Sequence, residues 1–225
     1  MANGWCMNGL AQIAKNQCSG TGMDRGGGFA FWSAITPSTQ QTATNGVASD
    51  SSSLYIANHC NNRIDKIALA NGVWQGAYST RWNNGSGAAL TAGSSVYSTD
   101  PAVVVTWTGQ GRITGLAVNS THIYFASRND PTSGWDSGSA IVKVNKSSGA
   151  VIGWQGSIHT NPAWSVTGGD CPAGATGLTP GWCLGGASAR GIKLGEFDDA
   201  RALSVDDNFV YVSDVNTHRV TRIPK

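Results

Sequence analysis

Charged side chains and long apolar runs are both scarce in this sequence of 225 residues. Only 12% of the residues are charged, and 15 basic residues nearly balance 13 acidic ones, for a formal net charge of +2. This balance, with no basic cluster, argues against nucleic acid as a partner. No apolar run approaches the roughly 18 residues that a membrane-spanning helix needs, so we expect no membrane insertion.

Motifs that mark common catalytic sites are missing as well. The chain contains no Gly-x-Ser-x-Gly, no His-Glu-x-x-His and no phosphate-binding loop. His59 and His218 occupy nearby positions in equivalent turns, but two histidines without a nearby carboxylate make a poor metal site. We therefore assign no catalytic residue, no metal ligand and no cofactor, and favour a protein that is not an enzyme.

One pattern occurs three times, at residues 54–67, 123–144 and 210–223. Each copy starts with an apolar residue and a tyrosine, reads as two short strands around a polar turn, and follows a short apolar strand. The first two copies are followed by matching segments, residues 72–76 and 152–156, each of which ends in Trp-Gln-Gly. Four strands per unit, repeated along a chain, are typical of β-propeller blades.

We therefore predict an all-β fold: one β-propeller domain, or a fragment of one, with clear blades at about 41–78, 112–158 and 200–225. Long interblade loops would span residues 1–40, 79–111 and 159–199. The third blade lacks a fourth strand, because only two residues follow Ile223. An N-terminal strand at 28–34 is expected to cover its open edge.

Three blades are too few to close a ring. Two completions stay open. One is a ring shared between chains, in which case a dimer is favoured; the other adds divergent blades from the linkers, for which residues 102–107 are a strand candidate.

The three units resemble blades of the NHL-repeat family, in the pattern Leu-Tyr-Val-Ala-Asp followed by Asn-x-Arg-Ile. In such blades an Asp that ends the second strand lies close to the Arg that opens the third, which the resemblance carries onto Asp214 and Arg219. The first copy keeps Arg63 but has Asn58 in place of the Asp, and the second has Ser127 and no matching Arg. The Gly-Trp-Cys loops resemble those of large exported bacterial surface proteins.

The cysteines indicate an oxidising compartment. Cys6 and Cys18 are 12 positions apart, as are Cys171 and Cys183, and both pairs lie in irregular sequence where a disulfide would stabilise a loop. Four unpaired thiols are the alternative, and zinc is disfavoured because neither pair has a Cys-x-x-Cys spacing or a nearby His. Two disulfides would place the chain outside the cell or on its surface.

Tryptophans are the best lead to a ligand, since nine occur. Trp74 and Trp154 match each other on strands and are expected to be structural, whereas three others lie in polar loops where a ring can stack on a sugar or anchor a protein. The alternative is that these rings fold back over the blades. The predicted ligand-binding residues are Trp135, Asp136, Asp130, Asn129, Trp82 and Trp164.

Glu196, Asp198 and Asp199 form the densest acidic cluster. Flexible loops rich in carboxylates can bind calcium, so a calcium ion is an alternative here. It is less favoured than the absence of a cofactor. We favour the interpretation that these residues form a solvated turn, with a local ion pair to Arg201. Asp206 lies in the next hairpin turn, where Asp is favoured for turn chemistry alone.

We therefore expect a non-catalytic recognition or adhesion module of an exported bacterial protein, with a glycan or a protein as its ligand. One alternative is a metal-assisted hydrolase or lyase of the propeller type. Another is a structural fragment whose role is to assemble a shared ring. The fold alone does not choose among them.

Overall fold

The computed structural model describes residues 46–58, 63–79, 97–98, 112–128, 139–158, 170–171, 177–186 and 188–225. Within these ranges every regular element is a β-strand, and every pairing is antiparallel. The predicted all-β class is confirmed. No helix that could cross a bilayer occurs in this part of the chain.

The strands form three sheets, none of which closes on itself. Sheet I contains, in order, β1 (Val47–Ser49), β2 (Ser53–Asn58), β3 (Arg63–Ala68), β4 (Trp74–Ser79) and β5 (Tyr97–Ser98). Sheet II contains β6 (Arg112–Val118), β7 (His122–Arg128), β8 (Ser139–Asn145) and β9 (Val151–Ile158), with β10 (Gly177–Leu178) and β11 (Ser188–Ala189) both paired to β9. Sheet III contains β12 (Ala200–Val205), β13 (Phe209–Asp214) and β14 (Arg219–Pro224).

Sheet III has three strands among the described residues, with β14 at its edge. The short strands β5, β10 and β11 lie in segments that the sequence assigns to loops. The strand candidates at 28–34 and 102–107 lie outside the described residues.

The three sheets stack in chain order. Which faces of a strand are buried explains the order of apolar and polar residues along it. On β13 the side chains alternate: Val210 and Val212 are fully buried against sheet II, while Phe209 and Tyr211 on the other face are partly exposed. Strand β7 of sheet II is buried on both faces, because sheet I covers one and sheet III the other. A strand covered on both faces has no need of polar alternation, which accounts for its run of apolar residues.

A disulfide joins Cys171 to Cys183, confirming that predicted pair. Cys183 lies against β9, where it exchanges backbone hydrogen bonds with Trp154 at 2.9 and 3.3 Å. The approach is close: a Cβ on Gly153 would lie 2.7 Å from the Cys183 nitrogen. Trp154 is fully buried, and its indole N–H donates to the Gly185 carbonyl at 2.8 Å, so this tryptophan is structural, as predicted.

Candidate functional site

The first hairpin of each sheet turns on an equivalent polar residue: Asp50, Asn119 and Asp206. In each case the side-chain Oδ1 accepts hydrogen bonds from the backbone amides two and three positions further along, at 2.7–2.9 Å. Side chains of this type stabilise turns by satisfying amides that the strand ladder leaves unpaired. The turn role predicted for Asp206 is confirmed, and it is shared by all three repeats.

A tyrosine on the second strand of each sheet reaches back to this turn. Tyr55 donates to Asp50 Oδ2 at 3.1 Å, and Tyr211 donates to Asp206 Oδ2 at 2.8 Å. In sheet II the polarity reverses, because the Asn119 amide Nδ2 lies 3.5 Å from the Tyr124 hydroxyl and donates to it. The hydrogen bond to Asp206 raises the pKa of Tyr211.

Lys146 connects the turn of sheet I to sheet II. Its Nζ lies 2.7 Å from Asp50 Oδ2 and 2.8 Å from the Asn119 carbonyl oxygen, and it lies over the Tyr55 ring, 6.0 Å from the centroid. The Lys146 and Asp50 side chains are 15% and 16% exposed. Tyr78 of β4 completes the contact by donating its hydroxyl to the Lys146 carbonyl at 2.6 Å.

The charge state of Asp50 follows from these contacts. Burial alone would raise the pKa of its carboxyl group, but the hydrogen bond from Lys146 and those from the amides of Ser52 and Ser53 outweigh burial and hold the pKa well below its usual range. Asp50 is therefore a fixed anion whose oxygens are already engaged, which suits it to positioning rather than to taking up a proton.

A groove of about 780 Å³ opens above this ion pair, between sheets I and II. Three turns supply its walls: residues 49–52, 118–121 and 145–147. Hydroxyl and amide side chains dominate the lining, together with Lys66 of β3, the ion pair and Tyr55. The groove thus offers many donors and acceptors on turns that are braced by their own hydrogen bonds.

The boundary between sheets II and III is filled differently. There the ring of Trp182 lies 5.8 Å from that of Tyr124, and its indole N–H donates to the Pro224 carbonyl at 3.1 Å. Lys143 lies over the Trp182 ring at 5.4 Å. Trp182 therefore links the disulfide loop to sheet III.

Burial, with the nearby cations Lys143 and Lys225, lowers the pKa of His122 in this region. His122 is the first residue of β7.

Two of the three acidic residues before β12 are buried rather than solvated, which corrects the sequence interpretation for them. Asp198 and Asp199 are 9% and 4% exposed. Asp199 makes the predicted local pair with Arg201, with two contacts of 2.8 Å, while Asp198 pairs with Arg190. Each carboxylate is buried because an arginine compensates its charge.

Asp214 and Arg219 lie directly opposite each other on β13 and β14. Asp214 Oδ1 accepts from the Thr217 amide at 3.1 Å, and the other hydrogen bonds of the two side chains go to the segment before β12. Asp214 Oδ2 accepts from the amides of Asp198 and Asp199 at 2.6 and 3.2 Å. Arg219 donates to three carbonyl oxygens of the same segment, those of residues 192, 193 and 196. Together the two side chains fix this segment onto sheet III.

Among the described residues no group of three or more His, Cys, Asp or Glu side chains is arranged to hold a metal ion. The predicted ligand residues Trp82, Asn129, Asp130, Trp135, Asp136 and Trp164 lie outside the described part of the chain, as do Cys6 and Cys18.

The groove itself was not predicted from the sequence. A signal for it exists in the repeated order of a turn Asp or Asn followed five positions later by Tyr, at residues 50–55, 119–124 and 206–211.

Comparisons with known proteins assign no family. No family model matches the chain, and no curated protein matches it significantly.

Proposed function

We propose that the three sheets are consecutive blades of a propeller-type array of the NHL kind. Three observations support this proposal. Each sheet is built from successive antiparallel strands, the sheets stack in chain order, and the turn motif of Asp or Asn with Tyr recurs in every one. Such an array holds its turns rigidly, which is the arrangement that ligand-binding loops require.

The function that this geometry supports best is recognition of a glycan in the groove between sheets I and II. The observation that carries the proposal is the lining: hydroxyl and amide groups from three braced turns surround an open volume of about 780 Å³. Sugar hydroxyl groups need donors and acceptors at close range, and Ser, Thr and Asn supply both. Preorganised turns lose little conformational entropy on binding.

The ion pair gives the groove a fixed orienting element. The Lys146 ammonium is already neutralised by Asp50, so the pair presents a dipole at the groove wall rather than a net charge. Lys66 is the other charged side chain of the lining, so a neutral or weakly acidic saccharide fits the groove better than a strongly anionic ligand. The Cys171–Cys183 disulfide supports an exported protein, where extracellular glycans are encountered.

The proposal is tested by binding to an array of neutral and acidic oligosaccharides, followed by calorimetric titration of the best one. Ser120→Trp places a large ring at the groove mouth, since Ser120 is exposed and lines the groove. Asp207→Trp is the matched control, because Asp207 is the exposed equivalent in the turn of sheet III and does not line the groove.

We expect Ser120→Trp to weaken binding at least tenfold, about 1.4 kcal/mol, and Asp207→Trp to bind like the parent. Equal affinities for parent and Ser120→Trp would show that the groove is not the site. No binding to any oligosaccharide at about 1 mM would reject glycan recognition itself. Trp135→Ala, in the loop that the sequence favours, distinguishes that loop from the groove.

A further inference from the structure

The contact between consecutive sheets is made in the same way twice. Gly46, just before β1, lies so close to β6 that an added Cβ would be 2.5 Å from the Leu116 nitrogen and 2.7 Å from its Cβ. Gly115 of β6 lies equally close to β12, with an added Cβ 2.6 Å from the Arg201 oxygen and 2.7 Å from Leu203 Cδ1. In each contact a glycine of one sheet meets a leucine of the next.

The strand registers show that the two glycines occupy equivalent positions, and they identify the equivalent position in sheet III. Gly115 pairs with Ala126 on β7, and the Gly46 carbonyl accepts from the Ala57 amide on β2. In sheet III the corresponding pair is Ala202 with Ser213. Ala202 is exposed, because no described sheet follows β14.

The rest of this face of sheet III is also uncovered. Tyr55 and Tyr124 are fully buried by the next sheet, whereas the equivalent Tyr211 stays partly exposed. Val220, on the same face through its pairing with Ser213, is 68% exposed. Sheet III therefore presents the face that sheets I and II bury.

The opposite end of the array exposes the other half of the contact. Leu116 and Leu203, which meet the glycines, pair with Phe125 and Val212. The equivalent residue of sheet I is Val47, which pairs with Ile56. Leu116 is only 4% exposed, but Val47 is 58% exposed.

The receiving surface at that end is confined to β1. The side chains of Arg63, Asp65 and Ile67, further out on sheet I, are already buried. The contact that β1 offers is therefore smaller than those inside the array.

We propose that the exposed face of sheet III binds the β1 end of a second copy of this chain, with Ala202 of one copy against Val47 of the other. The occupant is a second copy because the chain itself carries both halves of a contact that it already uses twice. The contact is head-to-tail, so it closes a ring of two or more copies or extends into a longer array. Its small area predicts association that depends on concentration.

The test is the native mass of the full chain, measured by light scattering from about 5 to 500 µM, a range that covers weak association. Ala202→Arg and Val47→Arg each block one half of the contact. Val73→Arg is the control, since Val73 is a 56% exposed apolar residue in the turn between β3 and β4. Circular dichroism and thermal unfolding confirm that every variant is folded.

We expect the parent and Val73→Arg to associate, and each blocking variant to be a monomer when alone. An equimolar mixture of Ala202→Arg and Val47→Arg should form dimers and stop there, because the mixture restores one intact contact between two blocked ends. A parent that is monomeric throughout, a blocking variant that associates like the parent, or a mixture that stays monomeric would each overturn the proposal.

Discussion

The Lys146 ammonium lies 2.7 Å from Oδ2 of Asp50, joining the first turn of sheet I to the third turn of sheet II. The two residues are 96 positions apart in the sequence. Both side chains are mostly buried, so the pair is screened less than an exposed one. It therefore holds two sheets together and fixes one wall of the groove at the same time.

Asp50→Asn isolates the charge of this pair. Asn keeps the turn, as Asn119 shows in sheet II, but loses the ionic partner of Lys146. We expect a loss of about 1–2 kcal/mol in the free energy of unfolding, measured by urea denaturation at neutral pH. Asp206→Asn is the control, because Asp206 makes the same turn and its Oδ2 also accepts from a tyrosine, so the ion pair with Lys146 is what Asp50 has in addition. Equal losses in the two variants would contradict the assignment.

The loss in Asp50→Asn should also depend on pH. The folded-state pKa of Asp50 lies below its usual range. Its stabilising contribution is therefore complete above the unfolded pKa of about 3.9 and declines as the pH falls below that value. The difference between parent and variant should shrink in acid; a difference that stays constant down to about pH 3 would exclude this linkage.

Gly115→Ala tests the close approach of β6 to β12. A methyl group at this position meets the Arg201 backbone oxygen at 2.6 Å, and backbone gives way only at a cost. We expect about 1–3 kcal/mol of destabilisation in denaturant unfolding. Ala202→Gly, at the exposed equivalent position, controls for the intrinsic difference between the two residues. A variant as stable as the parent would show that the sheets separate easily here.

The disulfide between Cys171 and Cys183 holds the loop that pairs with β9. Replacing both cysteines by Ser should destabilise the protein by about 2–4 kcal/mol, because the closed loop loses its constraint on the unfolded chain. Thermal unfolding without reductant measures the change. Cys60→Ser replaces a cysteine that is not part of this bridge and serves as the control. If the double variant and the control unfold alike, the bridge does not stabilise the fold.

His122 should contribute to acid sensitivity. Its pKa is lowered by burial and by Lys143 and Lys225, so the unfolded chain binds a proton more readily than the folded one. Stability should therefore fall as the pH drops through the unfolded value of about 6.5 and level off below the folded pKa. His122→Gln should flatten the dependence of Tm on pH between about 7.5 and 5.

His218→Asn is the control for this measurement, because His218 is exposed in the turn before β14. Asn also tolerates the positive φ of 53° found there. An unchanged slope in His122→Gln would assign the acid sensitivity to other groups.

The predictions that the structure confirms depend on local sequence patterns. The apolar-Tyr starts at residues 54, 123 and 210 lie on second strands of their sheets, and the 12-position spacing of Cys171 and Cys183 corresponds to a disulfide. The strands β5, β10 and β11 were not predicted, because two residues give no periodicity to read. Asp198 and Asp199 were expected in solvent because the sequence does not show that Arg190 and Arg201 neutralise them at short range.

The sequence by itself determined the all-β class, the threefold repeat and the turn chemistry of Asp206, since each depends on residues close together in the chain. Only the tertiary structure decided where a groove opens, because its walls come from turns near residues 50, 120 and 146 that meet when sheet I packs on sheet II. It also decided that residues at the same position of the repeat differ in exposure: Tyr55 is fully buried, whereas Tyr211 is partly exposed. Residues with the same local sequence are buried where another sheet packs against them and exposed where none does. Their burial therefore depends on packing between sheets and not on the local pattern.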